Sequence, residues 1–227
     1  MRYLWMSAGL LVAALAWGCG SSRNSNTGQL RFMQAAAMSS PQVQLLVNGV
    51  QQANNLNYSN ATGYLTISTG SQTVQVLPVS GSTTAILNTT VSVNSSTNQT
   101  LMMTGMPGAI SSILLKDGTG SSTRGDINVR VVNASNRMGP ADVYILPATS
   151  SIIGATPVAN GPFGFDQNTG YQLVATGGYQ VVMAVPGTTR ALLSTGPIMP
   201  STSSLNQTVV ILDNLSGGFT FTVLQDQ

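Results

Sequence analysis

LRFMQAA at 30–36 returns as VRVVNAS at 129–135, and the reading of the chain turns on that return. Each copy sets an arginine, Arg31 or Arg130, between apolar neighbours and then runs into alanine. Working outward, SPQVQLL at 40–46 matches GPADVYI at 139–145. GYLTISTGSQTVQVL at 63–77 matches GYQLVATGGYQVVMAV at 170–185 with one extra residue. SGSTTAILN at 80–88 matches VPGTTRALLS at 185–194, and NQTLMMT at 98–104 matches NQTVVIL at 206–212. The offset is 99 at Arg31/Arg130 and Pro41/Pro140, 107 at Gly63/Gly170 and 108 at Asn98/Asn206. Offsets so steady across the chain indicate a duplication into tandem domains. The step from 99 to 107 places an insertion of eight residues in the loop 148–168.

Within each copy the apolar residues recur at every second position. In the first copy, LRFMQAA is followed by VQLLV (43–47), YLTI (64–67), TVQVLPV (73–79), TAILNTTVSV (84–93), TLMMT (100–104) and ISSILL (110–115). The second copy offers INVRVVNA, ADVYIL, YQLVA, YQVVMAV, TRALLS, TVVILD and FTFTVLQ. Seven short strands per copy, spaced by Gly, Asn, Ser and Pro, predict an all-β chain of two tandem antiparallel β-sandwich domains. Asn48-Gly49 and Gly177-Gly178 are two-residue turn signals, because primed turns need positive φ. LKDGTGSSTRGD at 115–126 has linker chemistry. The expected division is 29–118 for the first sandwich, 119–124 for the linker and 125–227 for the second. A polar linker of this kind carries the expectation of relative domain motion.

Composition narrows the function. Only 6% of the 227 residues are charged, against about 25% in an ordinary domain, while 42% are apolar. There is no His and no Glu, and Lys116 is the single lysine. The net charge of +2 comes from scattered Arg and Asp. No basic run could follow a phosphate backbone, so nucleic acid is not an expected partner. One cysteine excludes an internal disulfide.

That cysteine, Cys19, closes an N-terminal export pattern: Arg2, an apolar run from Leu4 to Trp17, and small residues before the thiol. The layout resembles a bacterial lipoprotein signal covering 1–18, with lipidation at Cys19 and a Gly/Ser/Asn tether at 19–28. The implied address is the cell envelope, anchored to the outer membrane through lipid on Cys19. The alternative is ordinary signal cleavage and a secreted or periplasmic product.

The elements VRVVNAS…GPADVYIL, then TGYQLVATGGYQVVMAV, then a Thr-rich turn and a closing TVVIL, resemble the bacterial domain of unknown function DUF 4397. The resemblance spans essentially all of 29–227 and is clearest in the second copy. It implies an immunoglobulin-like or related sandwich, often in tandem and exported or lipid-anchored. It implies no catalytic residues.

Catalytic constellations are missing from the residue types. Without His there is no Ser-His-Asp or Cys-His arrangement. Six dispersed Asp offer no carboxylate pair by spacing. Lys116 beside the linker reads as solvated. Asp117 and Asp126 flank the linker and read as turn formers rather than calcium ligands. Met102, Met103 and Met106 could suit Cu(I), but core packing is the preferred reading because Val210 and Ile211 stand at the places of the first two. Arg31 and Arg130 read as pointing to a solvated strand face. The expectation is no catalytic residue, no metal and no cofactor. The candidate recognition element is the long loop 148–168, with Phe163, Phe165 and Asp166. The function expected is a non-catalytic binding or structural role, presenting loops to a protein or glycan partner. An accessory subunit of a larger envelope complex is the alternative, and an enzyme of unknown type is the remote one.

Overall fold

A computed structural model describes residues 26–37, 42–118, 126–175, 177–200 and 205–227. Cys19, the 1–18 signal, the tether up to Asn26 and the 119–124 linker lie outside the described residues. The described chain is all strand and turn, in four sheets of four strands. The first sandwich holds β1 (Thr27–Gln34), β2 (Gln42–Val47), β3 (Val50–Asn57), β4 (Leu65–Ser68), β5 (Gly70–Pro78), β6 (Leu87–Val93), β7 (Asn98–Met106) and β8 (Ala109–Lys116). The second holds β9 (Asp126–Asn133), β10 (Ala141–Pro147), β11 (Ala159–Phe163), β12 (Gln172–Ala175), β13 (Tyr179–Ala184), β14 (Ala191–Ser194), β15 (Asn206–Asp213) and β16 (Phe219–Asp226). The sheet orders are β4-β1-β7-β8 and β3-β2-β5-β6, and then β12-β9-β15-β16 and β11-β10-β13-β14. Strand for strand, the second sandwich repeats the order of the first.

The sandwich architecture agrees with the period-two reading, and three details differ from it. Each sandwich has eight strands where the pattern showed seven. The missed pair is β3 and β11, equivalent outer strands whose sequences, VQQANNLN and ANGPF, have no apolar alternation. An edge strand needs only one hydrogen-bonded neighbour and tolerates polar, Gly and Pro residues. Second, the sheets are not purely antiparallel: β1 runs parallel to β7, and β9 parallel to β15. Third, the strand order is not the ABED/CFG arrangement of immunoglobulin domains. Of the two turn signals, Asn48-Gly49 joins the β2–β3 hairpin with φ of 49° and 78°. Gly177-Gly178 instead carries the chain from one sheet to the other, between β12 and β13.

Each sandwich has its own core. Leu30, Phe32, Leu45, Val74, Val76, Leu101 and Met103 fill the first, and Val129, Val131, Val143, Tyr179, Val181, Met183, Val209 and Ile211 the second. A third cluster lies between the sandwiches: Met33, Ala35, Met102 and Leu115 from one side, Val132, Ala134, Val210, Leu212 and Leu224 from the other. The central strands of the inner sheets, β1, β7, β9 and β15, are therefore buried on both faces. That is why VRVVN and TVVIL read as continuous apolar runs rather than alternations. The expected freedom between the domains gives way to this packed apolar seam.

Candidate functional site

The arginines of the repeated motif lie in that seam. Arg31 and Arg130 are 4% and 3% exposed, which corrects their reading as residues of a solvated strand face. The pleat turns them away from their own core, and the neighbouring sandwich occupies that side. Their partners come in matched sets. Arg31 donates through Nε to Thr100 Oγ1 (2.9 Å), through Nη1 to the Gln225 carbonyl (2.8 Å) and through Nη2 to Asp226 Oδ1. Arg130 donates through Nε to Thr208 Oγ1 (3.1 Å), through Nη1 to the Lys116 carbonyl (2.9 Å) and through Nη2 to Asp117 Oδ1 (2.6 Å). Each aspartate also accepts a threonine hydroxyl at 2.5 Å: Thr100 on Asp117, Thr208 on Asp226. Each accepts a tyrosine hydroxyl too, Tyr64 on Asp117 (2.8 Å) and Tyr171 on Asp226 (2.7 Å). The guanidinium carbons sit 4.8 Å from the Tyr64 ring centre and 4.6 Å from that of Tyr171. In both sets the arginine–aspartate hydrogen bond crosses from one sandwich to the other. Asp117, read as a turn former at the linker, is thus a buried ion-pair partner.

Burial raises the Tyr64 and Tyr171 phenols well above their usual range. The carboxylates they donate to add to the rise, because a phenolate there would face a second negative charge. Tyr58 is pushed up to about 12 by burial and by Asp213, whose carbonyl its hydroxyl meets across the seam at 2.8 Å.

The remaining sequence candidates scatter. Met102 packs in the seam and Met103 in the first core, while Met106 is 40% exposed, so the trio does not converge. Lys116 is exposed. Asp126 starts β9, and no group of three acidic, His or Cys side chains forms a cation site among the described residues. Phe163 is buried in the second core. Phe165 is half-buried, and Asp166 accepts from Ser111 Oγ of the first sandwich at 2.8 Å. Those three residues belong to packing and to the seam.

The earlier part of the same loop does something else. Residues 148–158 fold over the outer face of β10 and β13, where Tyr144, Val182 and Ala184 are buried against Ile152 and Ala155. A groove of about 610 Å³ remains between loop, sheet and the turn before β14. Asp142, Tyr144, Ile152, Pro157, Thr188 and Thr189 are among its lining residues. Asp142 anchors it, accepting from the Gly161 amide (2.6 Å) and the Gly187 amide (2.7 Å). This groove lies beside residues 152–157 of the loop, away from Phe163, Phe165 and Asp166. The signal for Asp142 and Tyr144 was a strand, ADVYIL, whose outward positions carry a carboxylate and an aromatic where VQLLV has Gln44 and Leu46.

The fold and seam define an all-β protein of two sandwiches locked face to face. The chain belongs to the family described as Domain of unknown function (DUF4397), whose model matches residues 28–144. No curated protein matches it. Among solved structures it is similar to a family 26 carbohydrate-binding module of Eubacterium rectale Amy13K, determined with maltoheptaose. That match has 9% identity and a TM-score of 0.28, covering 87% of this chain and 96% of the other. It is also similar to family 41 carbohydrate-binding modules from streptococcal virulence factors, at 12% identity and a TM-score of 0.26, covering 81% of this chain and 93% of the other.

Proposed function

We propose that this chain is a non-catalytic, lipid-anchored protein of the cell envelope that binds a protein or glycan partner with the outer face of its second sandwich. The observation that carries the non-catalytic reading is the employment of its buried carboxylates. Asp117 and Asp226 hold the seam. Asp142 ties two loops by their amides. Asp213 accepts Ser135 Oγ (2.5 Å) and the Asn136 amide (3.2 Å), and pairs with Arg137 (3.2 Å). A carboxylate held in place by fixed donors is a structural acceptor, not a poised acid or base. The duplication, the export pattern and Cys19 supply the envelope part of the reading. An accessory-subunit role draws support from apolar side chains exposed at sheet edges, Val50 on β3 and Leu173 on β12.

Two measurements test the proposal. Alkyne-palmitate labelling of expressing cells should tag the wild type and not Cys19→Ala; equal labelling, or none in either, removes the anchor. Cross-linking in intact envelopes should give a dominant adduct, protein or glycan, that disappears when 150–156 is shortened. Adducts indifferent to that loop assign the binding surface elsewhere.

A further inference from the structure

The groove over β10 and β13 is built from two kinds of surface. Ile152, Ala155 and Pro157 form an apolar wall. Asp142, Tyr144, Thr188 and Thr189 add carboxylate and hydroxyl groups to the lining. Its volume of about 610 Å³ falls within the ~300–1,000 Å³ of small-molecule sites.

Three features select the ligand chemistry. Tyr144 is 6% exposed, and its side chain lines the groove. Its hydroxyl is not one of the buried polar atoms left without a partner, so it meets the groove, where it can donate to and accept from a ligand hydroxyl. Asp142 lines the groove and receives one amide on each oxygen, which leaves each oxygen capacity to accept a further hydroxyl. Finally, the lining holds a buried carboxylate and no Arg or Lys. A phosphate, sulfate or uronate would meet repulsion there without compensation.

We propose that this groove binds a neutral saccharide, a proposal that rests on reading the chain as a binding module. A pyranose presents a C–H face and a rim of hydroxyls. The C–H face lies on Ile152, Ala155 and Pro157, and the hydroxyls reach Asp142, the Tyr144 hydroxyl and Thr189. The equivalent face of the first sandwich carries different side chains. Strand register places Gln44 and Leu46 where Asp142 and Tyr144 stand, and Gln75 and Leu77 where Val182 and Ala184 stand.

The test uses the full chain in detergent micelles on an array of neutral hexose, pentose and N-acetylhexosamine oligosaccharides, with uronate and sulfated glycans alongside. The expected result is binding to neutral members, weakened about tenfold in Tyr144→Phe and in Thr189→Val, as for one lost hydrogen bond. Pro157→Trp should fill the groove and abolish binding, while Gln75→Ala on the first sandwich leaves it unchanged. Unchanged thermal midpoints show that the variants are folded. A blank array, binding confined to anionic glycans, or neutral binding indifferent to Tyr144→Phe and Pro157→Trp overturns the proposal. A blank array with a loop-dependent cross-linked protein in envelopes overturns the saccharide and keeps the binding module; blanks in both overturn the two together.

Discussion

The two sheets that face each other are alike, and the two that face away are not. Across the seam, Arg31, Thr100, Tyr64 and Asp117 answer Arg130, Thr208, Tyr171 and Asp226 with the same atoms and nearly the same distances. On the outer faces, half-buried Gln44, Leu46, Gln75 and Leu77 stand against buried Asp142, Tyr144, Val182 and Ala184. A protein of two like sandwiches keeps its halves equivalent where each is the other's partner, because a change on one side must be matched on the other. It is free to make them differ where they face solvent. The matched residues are therefore the structural ones, and the mismatched ones are the place to look for a ligand.

The largest effect tests the equivalence of the seam. Removing one member of a buried ion pair strands its partner without solvent, at about 3–5 kcal/mol. Arg31→Ala and Arg130→Ala should each lose roughly that much in urea unfolding, and by similar amounts. A large loss from one and almost none from the other would show that the two networks are alike in geometry only. Next, Met102→Ala removes a side chain from the apolar seam and should cost about 3 kcal/mol with no change at the groove. A cost below about 1 kcal/mol would mean that the seam closes over the cavity and is not a rigid contact.

Alkaline pH loads the same seam from both sides. The Tyr58, Tyr64 and Tyr171 phenols are all raised in the folded state above the 10.0 of a free tyrosine. Their neutral forms contribute stability that is whole below pH 10. It drains away above that value, where the unfolded chain ionises and the folded chain does not. For Tyr58 the window runs from 10.0 to about 12. Urea midpoints should fall steadily between those limits, and Tyr58→Phe, Tyr64→Phe and Tyr171→Phe should each flatten the fall. A profile that stays level to pH 12 would place these hydroxyls in water.

Much of this was legible in the chain. Period-two runs and Asn48-Gly49 give the sandwich and its first hairpin, and the return of LRFMQAA as VRVVNAS gives the halves. The buried arginines were misread because a charge between apolar neighbours implies an outward face. Yet the same face continues through Met33 and Ala35, and through Val132 and Ala134, which a solvated face would not carry. The seam was written there as two apolar runs without alternation. A subtler miss concerns register. Aligning on Pro41 and Pro140 puts Leu45 opposite Tyr144 in the comparison of copies. Core residues Val74 and Val76 correspond to Val181 and Met183, and their strand partners are Val47 and Leu45 against Ile145 and Val143. Tyr144 therefore answers Leu46. A one-residue slip exchanges the faces of a strand, and here it hid the groove's tyrosine in the core.

The smallest expected effect makes the sharpest use of that register. Gln75 pairs with Leu46 as Val182 pairs with Tyr144. If the outer face of the first sandwich is ordinary solvated sheet, Gln75→Lys should shift stability by no more than about 0.5 kcal/mol, as for surface positions generally. The long stem of lysine can lie along Leu77 and Leu46 while its ammonium reaches water. The urea midpoint is the measurement, with the slope unchanged. A loss beyond about 1 kcal/mol would mean that the first outer face is covered as the second is, and the contrast between the halves would then reside in the loop 148–158 alone.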